Sequence, residues 1–159
     1  MNFLEAKNIY SPQKQWHVFP PGQIDTLTVL SADIIGKYGI DPENVVGHSD
    51  VAPQRKVDPG PCFPWKELAQ RGIGVWYSDS VDLTHSDKPT GISVPWMQQS
   101  LSQWGYVVPK NGMLDPETQN VVKAFQMHFR PEKYDGTIDD ETSDILDRLV
   151  CQHHNRQEA

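Results

Sequence analysis

The heptapeptide Gly112-Met113-Leu114-Asp115-Pro116-Glu117-Thr118 returns as Gly136-Thr137-Ile138-Asp139-Asp140-Glu141-Thr142, a period of 24 residues. Each copy joins a glycine turn, an apolar anchor and an Asp suited to cap a helix whose first turn carries more acid. Pro116 suits the first helical position, where a missing N–H is no loss. The segment after the first copy aligns Val121, Val122, Phe125 and Phe129 on one face, and that after the second aligns Ile145, Leu146 and Leu149. Before both, Val94, Met97, Leu101 and Trp104 mark another helix, ended by Gly105. The pattern predicts three short helices around one small all-α core over residues 93–150. Such an apolar stripe is expected to be core, His128 a surface or boundary residue, and His153 and His154 part of a fraying polar tail, 151–159.

Residues 1–75 read differently. Residues 1–19 have no periodicity and are expected as loop. From Gln23 to Tyr38, Ile24, Leu27, Leu30, Ile34, Ile35 and Tyr38 recur at helical spacing, with Gly39 placed as C-terminal cap. Asp41 to Asn44 reads as a turn, Ile40 to His48 as one short strand, and Pro64 to Gly72 as a short helix stopped by glycine. Helix, strand, loop and helix predict part of an α/β domain. One strand makes no sheet, so this unit is expected to be poorly stable alone, or held by self-association along its exposed strand edge. Residues 76–92 are polar and aperiodic and predict a linker, with His85 solvated.

The stretch Gly47-His48-Ser49-Asp50-Val51-Ala52-Pro53-Gln54-Arg55-Lys56-Val57-Asp58-Pro59-Gly60-Pro61 carries the chemistry. One loop can bring His48 and Asp58 to the same ion, and a zinc site takes imidazole nitrogen and carboxylate oxygen at about 2.0 to 2.2 Å. Lys56 would then place an ammonium where a polarised carbonyl becomes an oxyanion. A structural reading competes: a lone His at a strand end is commonly just hydrogen-bonded, and Asp-Pro-Gly is a common turn. Spacing alone does not decide between them.

The run from Glu43 through His48, Lys56 and Asp58 to Trp65 resembles the second half of the zinc-dependent N-acetylmuramoyl-L-alanine amidases, in particular the outer-membrane lipoprotein type. That resemblance implies His48 and Asp58 as Zn2+ ligands and Lys56 as a catalytic residue. It also implies hydrolysis of the amide between N-acetylmuramic acid and L-alanine, in a periplasmic or outer-membrane setting. The family's first zinc-binding His and its catalytic Glu have no counterpart: His17 lies in a lead-in to a helix, and Glu5 is the only acid before Asp25. The chain thus reads as an N-terminally truncated amidase. Leu101, Gly105-Tyr106, Gly112, Asp115, Thr118, Phe125-Gln126, Asp135-Gly136, Ile138-Asp139, Thr142 and Leu146 together resemble the three-helix peptidoglycan-binding domain. Peptidoglycan or muropeptides are the implied partners, and the alternative function is a non-catalytic wall-binding fragment.

Charge agrees with a partner other than nucleic acid. The formal net charge is -7, and residues 76–159 hold 13 acidic against 7 basic side chains. Nucleic-acid binding depends on neutralising phosphates, which an acidic surface opposes. Cys62 and Cys151 are too few for a disulfide framework. Met1 to Lys7 lacks the pattern of a signal peptide, and no apolar run approaches the roughly 20 residues of a membrane helix. Oligomeric state is not legible.

Overall fold

The computed structural model describes residues 15–158. Among the described residues six α-helices carry the fold: α1 (Pro21–Tyr38), α2 (His48–Val51), α3 (Trp65–Gln70), α4 (Val94–Trp104), α5 (Pro116–Phe129) and α6 (Asp140–Gln157), with a 3-10 turn at Pro42–Asn44. No helix is long and apolar enough to cross a membrane among the described residues.

The second half follows its repeat closely. Asp115 accepts from the Thr118 amide at 2.8 Å and Asp139 from the Thr142 amide at 3.0 Å, so each copy caps the helix it precedes. Ser93 caps α4 in the same way, and Gly105 ends it in the left-handed region at φ 118. Met97, Leu101, Val121, Val122, Phe125, Phe129, Leu146 and Leu149 meet in one fully buried cluster, with α4 packed on α6.

Two glutamines extend the repeat into the core. Gln98 donates to the Met113 carbonyl and the Thr118 hydroxyl while accepting from the Gly112 amide. Gln126 does the same one repeat later, with the Thr137 carbonyl, the Thr142 hydroxyl and the Gly136 amide. Both are buried, at 1% and 0% exposure, and both glycine turns are thereby fastened to a helix. Every polar atom of each carboxamide side chain has a partner, so its burial is compensated.

Residues 15–75 correct the α/β expectation. No strand occurs among the described residues. Val45 (φ -91, ψ 98) and Gly47 (φ -89, ψ 168) are extended, yet no segment among the described residues pairs with them. A strand exists only through its ladder, and an apolar run without a partner stays irregular. His48 accordingly opens a one-turn helix instead of ending a strand. α1 forms as expected and is closed by Gly39 at φ 61. It buries Ile24 and leans Leu27 and Ile35 on Leu68 and Ile73. Leu30, Ile34 and Tyr38, expected on the same apolar face, are exposed, because the small cluster beneath α1 covers only one side of it.

Two further expectations are revised. α6 continues through residues 151–157, the expected polar tail, because Glu43 accepts from His153 at 2.5 Å and from Arg156 at 3.1 Å. Residues 76–92 contain no helix or strand but are tied to α6: Ser86 donates to Asp147, and Arg148 donates to the carbonyls of Ser78 and Asp79. His85 lies 3.2 Å from Glu158. Glu5 lies outside the described residues.

Candidate functional site

His48 and Asp58 come together. Gly47 is the N-cap of α2, and Ala52 ends the helix, sending the chain outward over Pro53 to Val57. The return is fixed by the Ser49 amide, which donates to the Asp58 carbonyl at 2.9 Å. His48 Nδ1 thus reaches Asp58 Oδ2 at 2.6 Å, and both side chains are exposed, at 73% and 55%. The Asp58–Pro59 peptide is cis. Gly60, at φ 83, packs so closely under the Trp16 ring that a Cβ would lie 2.2 Å from it.

Lys56 is exposed on the same loop. Partial desolvation pushes the Asp58 carboxyl up, but the His48 hydrogen bond, the backbone amide and the charges of His48 and Lys56 outweigh it and hold it below the usual range. Asp58 is therefore a carboxylate at neutral pH. The donors fit zinc in kind: one imidazole nitrogen and one carboxylate oxygen, adjacent and open to solvent. No cluster of three or more His, Cys, Asp or Glu suited to a metal occurs among the described residues. His17 is exposed and is not brought into the pair.

A second constellation lies beneath the loop. Asp50, 8% exposed, accepts from the Gly47 amide at 2.8 Å, Tyr106 Oη at 2.6 Å and His128 Nδ1 at 2.9 Å. Burial pushes its carboxyl up, yet the facing His128 and the hydrogen bonds from His128, Tyr106 and Gly47 win and hold it low. Burial and the Asp50 charge drive the Tyr106 hydroxyl well above its ordinary range, so it remains a donor. His128 corrects the expectation of a surface residue. It is 4% exposed and lies flat between Trp65, at 3.9 Å, and Phe129, at 4.0 Å. A buried imidazole needs a partner, and that partner is 78 residues upstream.

Asp50, Tyr106 and His128 carry no role in the sequence reading. The available signal was small: Tyr106 falls within the Gly105-Tyr106 pair of the second resemblance, and His128 borders the Phe125 and Phe129 stripe.

The N-acetylmuramoyl-L-alanine amidase family profile matches residues 3–61, and a peptidoglycan binding domain profile matches residues 90–146. The N-acetylmuramoyl-L-alanine amidase AmiD of Escherichia coli is 45% identical over 140 residues, covering 86% of this chain and 50% of the relative. Residues 3–61 are thus an N-acetylmuramoyl-L-alanine amidase segment, joined to a peptidoglycan binding domain. The 1,6-anhydro-N-acetylmuramyl-L-alanine amidase AmpD of Enterobacter cloacae is 43% identical over 50 residues, 31% of this chain and 27% of the relative.

Solved structures agree with that placement of the amidase segment and its helical partner. AmiD from Escherichia coli in complex with anhydro-N-acetylmuramic acid-L-Ala-D-gamma-Glu-L-Lys superposes with a TM-score of 0.79 at 42% identity, covering 89% of this chain and 56% of that one. AmpDh3 from Pseudomonas aeruginosa in complex with anhydromuramic pentapeptide gives 0.76 at 38% identity, covering 87% and 56%. The chain spans about half the length of the relatives it matches.

Proposed function

We propose that this chain supplies part of the catalytic site and the wall-binding unit of an N-acetylmuramoyl-L-alanine amidase. The reaction is hydrolysis of the amide between N-acetylmuramic acid and the L-alanine of the stem peptide. The carrying observation is the exposed His48–Asp58 pair at 2.6 Å, with Lys56 on the same loop.

His48 and Asp58 would hold Zn2+, which when bound supplies a water of lowered pKa and polarisation of the scissile carbonyl. Asp58 serves as a carboxylate, and the Ser49 amide on its carbonyl keeps its backbone in place. Lys56 presents three N–H donors and a positive charge to the oxyanion that forms as the carbonyl is attacked. Exposure of the pair leaves the loop open to a substrate as large as a wall fragment.

Release of the free stem peptide, with its new N-terminal L-alanine, from an anhydro-muropeptide by the chain incubated with zinc, read by mass spectrometry, would support catalysis by this chain. No release above the metal-free control would contradict catalysis by this chain. The second reading, wall binding without catalysis, is favoured by the absence of a third ligand among the described residues beside a fully packed helical unit. Co-sedimentation with peptidoglycan sacculi without peptide release would support it. A periplasmic or outer-membrane setting follows from the same reading.

A further inference from the structure

Between His48 and Asp58 the amidase loop touches the helical unit at two places. Asp50 is gripped from inside by Tyr106 and His128. Gln54 is gripped from outside by α5: its amide donates to the Glu117 carbonyl at 2.9 Å and its oxygen accepts from Asn120 at 2.9 Å. The loop's own anchors are the short backbone bonds of α2, the Arg55 and Lys56 amides on the Ala52 carbonyl at 3.0 and 2.9 Å, and the Ser49–Asp58 contact. Asp50 also accepts the amide of Gly47, the residue before His48, so the grip on its carboxylate is one peptide away from the metal-facing imidazole.

We infer that Tyr106, His128 and Asn120 of the wall-binding unit are positioning residues for the His48–Asp58 pair, and that this unit is a structural wall of the catalytic site as well as a tether. A carboxylate buried without its donors would be driven to leave the interior, carrying α2 with it. With its partners present it forms a fixed peg. Tyr106 holds Asp50 Oδ1, while His128 and the Gly47 amide hold Oδ2, so both oxygens are occupied. Trp65 stacks on His128 and fixes the ring plane against α5. The Gln54 clamp then limits the outward arm that carries Arg55 and Lys56.

The inference rests on the proposed zinc reading for its meaning in catalysis, while the ordering of the loop can be read without metal. The test compares the whole chain with Tyr106→Phe/Asn120→Ala, His128→Ala and His128→Gln. Its first readout is trypsin cleavage after Arg55 and Lys56, set against Ile145→Val, a change confined to the helical core. Its second is zinc affinity by competition with a chelating dye.

The double variant and His128→Ala should be nicked at least tenfold faster than wild type. His128→Gln, whose amide can still donate to Asp50, should recover most of the protection, and Ile145→Val should change nothing. Zinc should bind the unprotected variants at least tenfold more weakly. Nicking within twofold of wild type in folded double variant and His128→Ala would overturn the inference. Wild type that is protected but takes up no zinc would remove the metal reading and leave the loop-ordering result standing.

Discussion

His48 Nδ1 and Asp58 Oδ2 lie 2.6 Å apart although ten positions separate them in the chain. The loop that joins them leaves α2 at Ala52 and is brought back by the Ser49 amide on the Asp58 carbonyl. Two groups able to bind a metal thus face solvent together, over an interior fastened to another part of the protein.

The return of the loop depends on Gly60. Its φ of 83 favours glycine, and the Trp16 ring fills the space a side chain would take. Gly60→Ala should destabilise the protein by about 2 kcal/mol or more in urea titration, through left-handed strain and displacement of the ring. An unchanged midpoint would show that the loop and Trp16 move apart freely.

Gln98 and Gln126 each close a glycine turn onto a helix. Gln126→Leu leaves the Gly136 amide and the Thr137 carbonyl without their partner, and should cost about 3 kcal/mol. Gln98→Leu frees the corresponding groups of the first copy, but Gly112 and Met113 are exposed where Gly136 is buried, so water can replace the side chain and the cost should be smaller. Equal stability of variant and wild type in denaturant titration would contradict the role given to these side chains.

Asp139 caps α6 and takes both terminal nitrogens of Arg130, at 3.0 and 2.8 Å. Desolvation pushes its carboxyl up, but Thr142, Lys133 and Arg130 together hold it far below the usual carboxylate range. A folded-state value below the unfolded one, about 3.9, makes the stabilisation complete above about pH 5. It is lost as the pH falls below 3.9 towards the folded value. Asp139→Asn should therefore be clearly less stable than wild type at pH 7, with the gap narrowing from about pH 4 downward. A gap independent of pH would show that the contact is not ionic.

The two cysteines should differ in reactivity. Cys151 is fully buried in α6, and burial together with the nearby Asp147 pushes its thiol up to about 11. Cys62 is half-exposed. A disulfide reagent at pH 8 should label one thiol in the native protein and two after denaturation. Rapid labelling of both would mean that α6 opens readily.

Much of the helical unit was legible because its signals are local. Asp115, Asp139, Gly105 and the spacing of Phe125 and Phe129 act within a turn or two of themselves. The α/β reading failed at Val45 to His48 because a strand is defined by a partner, and none pairs there among the described residues. His128 departs from the expected surface position for a related reason: Asp50, which makes its burial tolerable, is 78 residues away. The end of α6 was expected to fray because the contact that holds it is between His153 and Glu43, 110 residues apart. At the site, the type and order of His48, Lys56 and Asp58 were visible, whereas the support from Tyr106, His128 and Asn120 required the fold.

The most direct test of the account is zinc binding by the whole chain, measured by isothermal titration with His48→Ala and Asp58→Asn in parallel. Wild type should take up one zinc per chain, and both variants should lose at least tenfold in affinity with folding retained, since His48→Ala removes the imidazole and an amide is a poorer zinc ligand than the Asp58 carboxylate. No uptake by wild type, or equal uptake in all three proteins, would contradict the assignment of His48 and Asp58 as metal ligands.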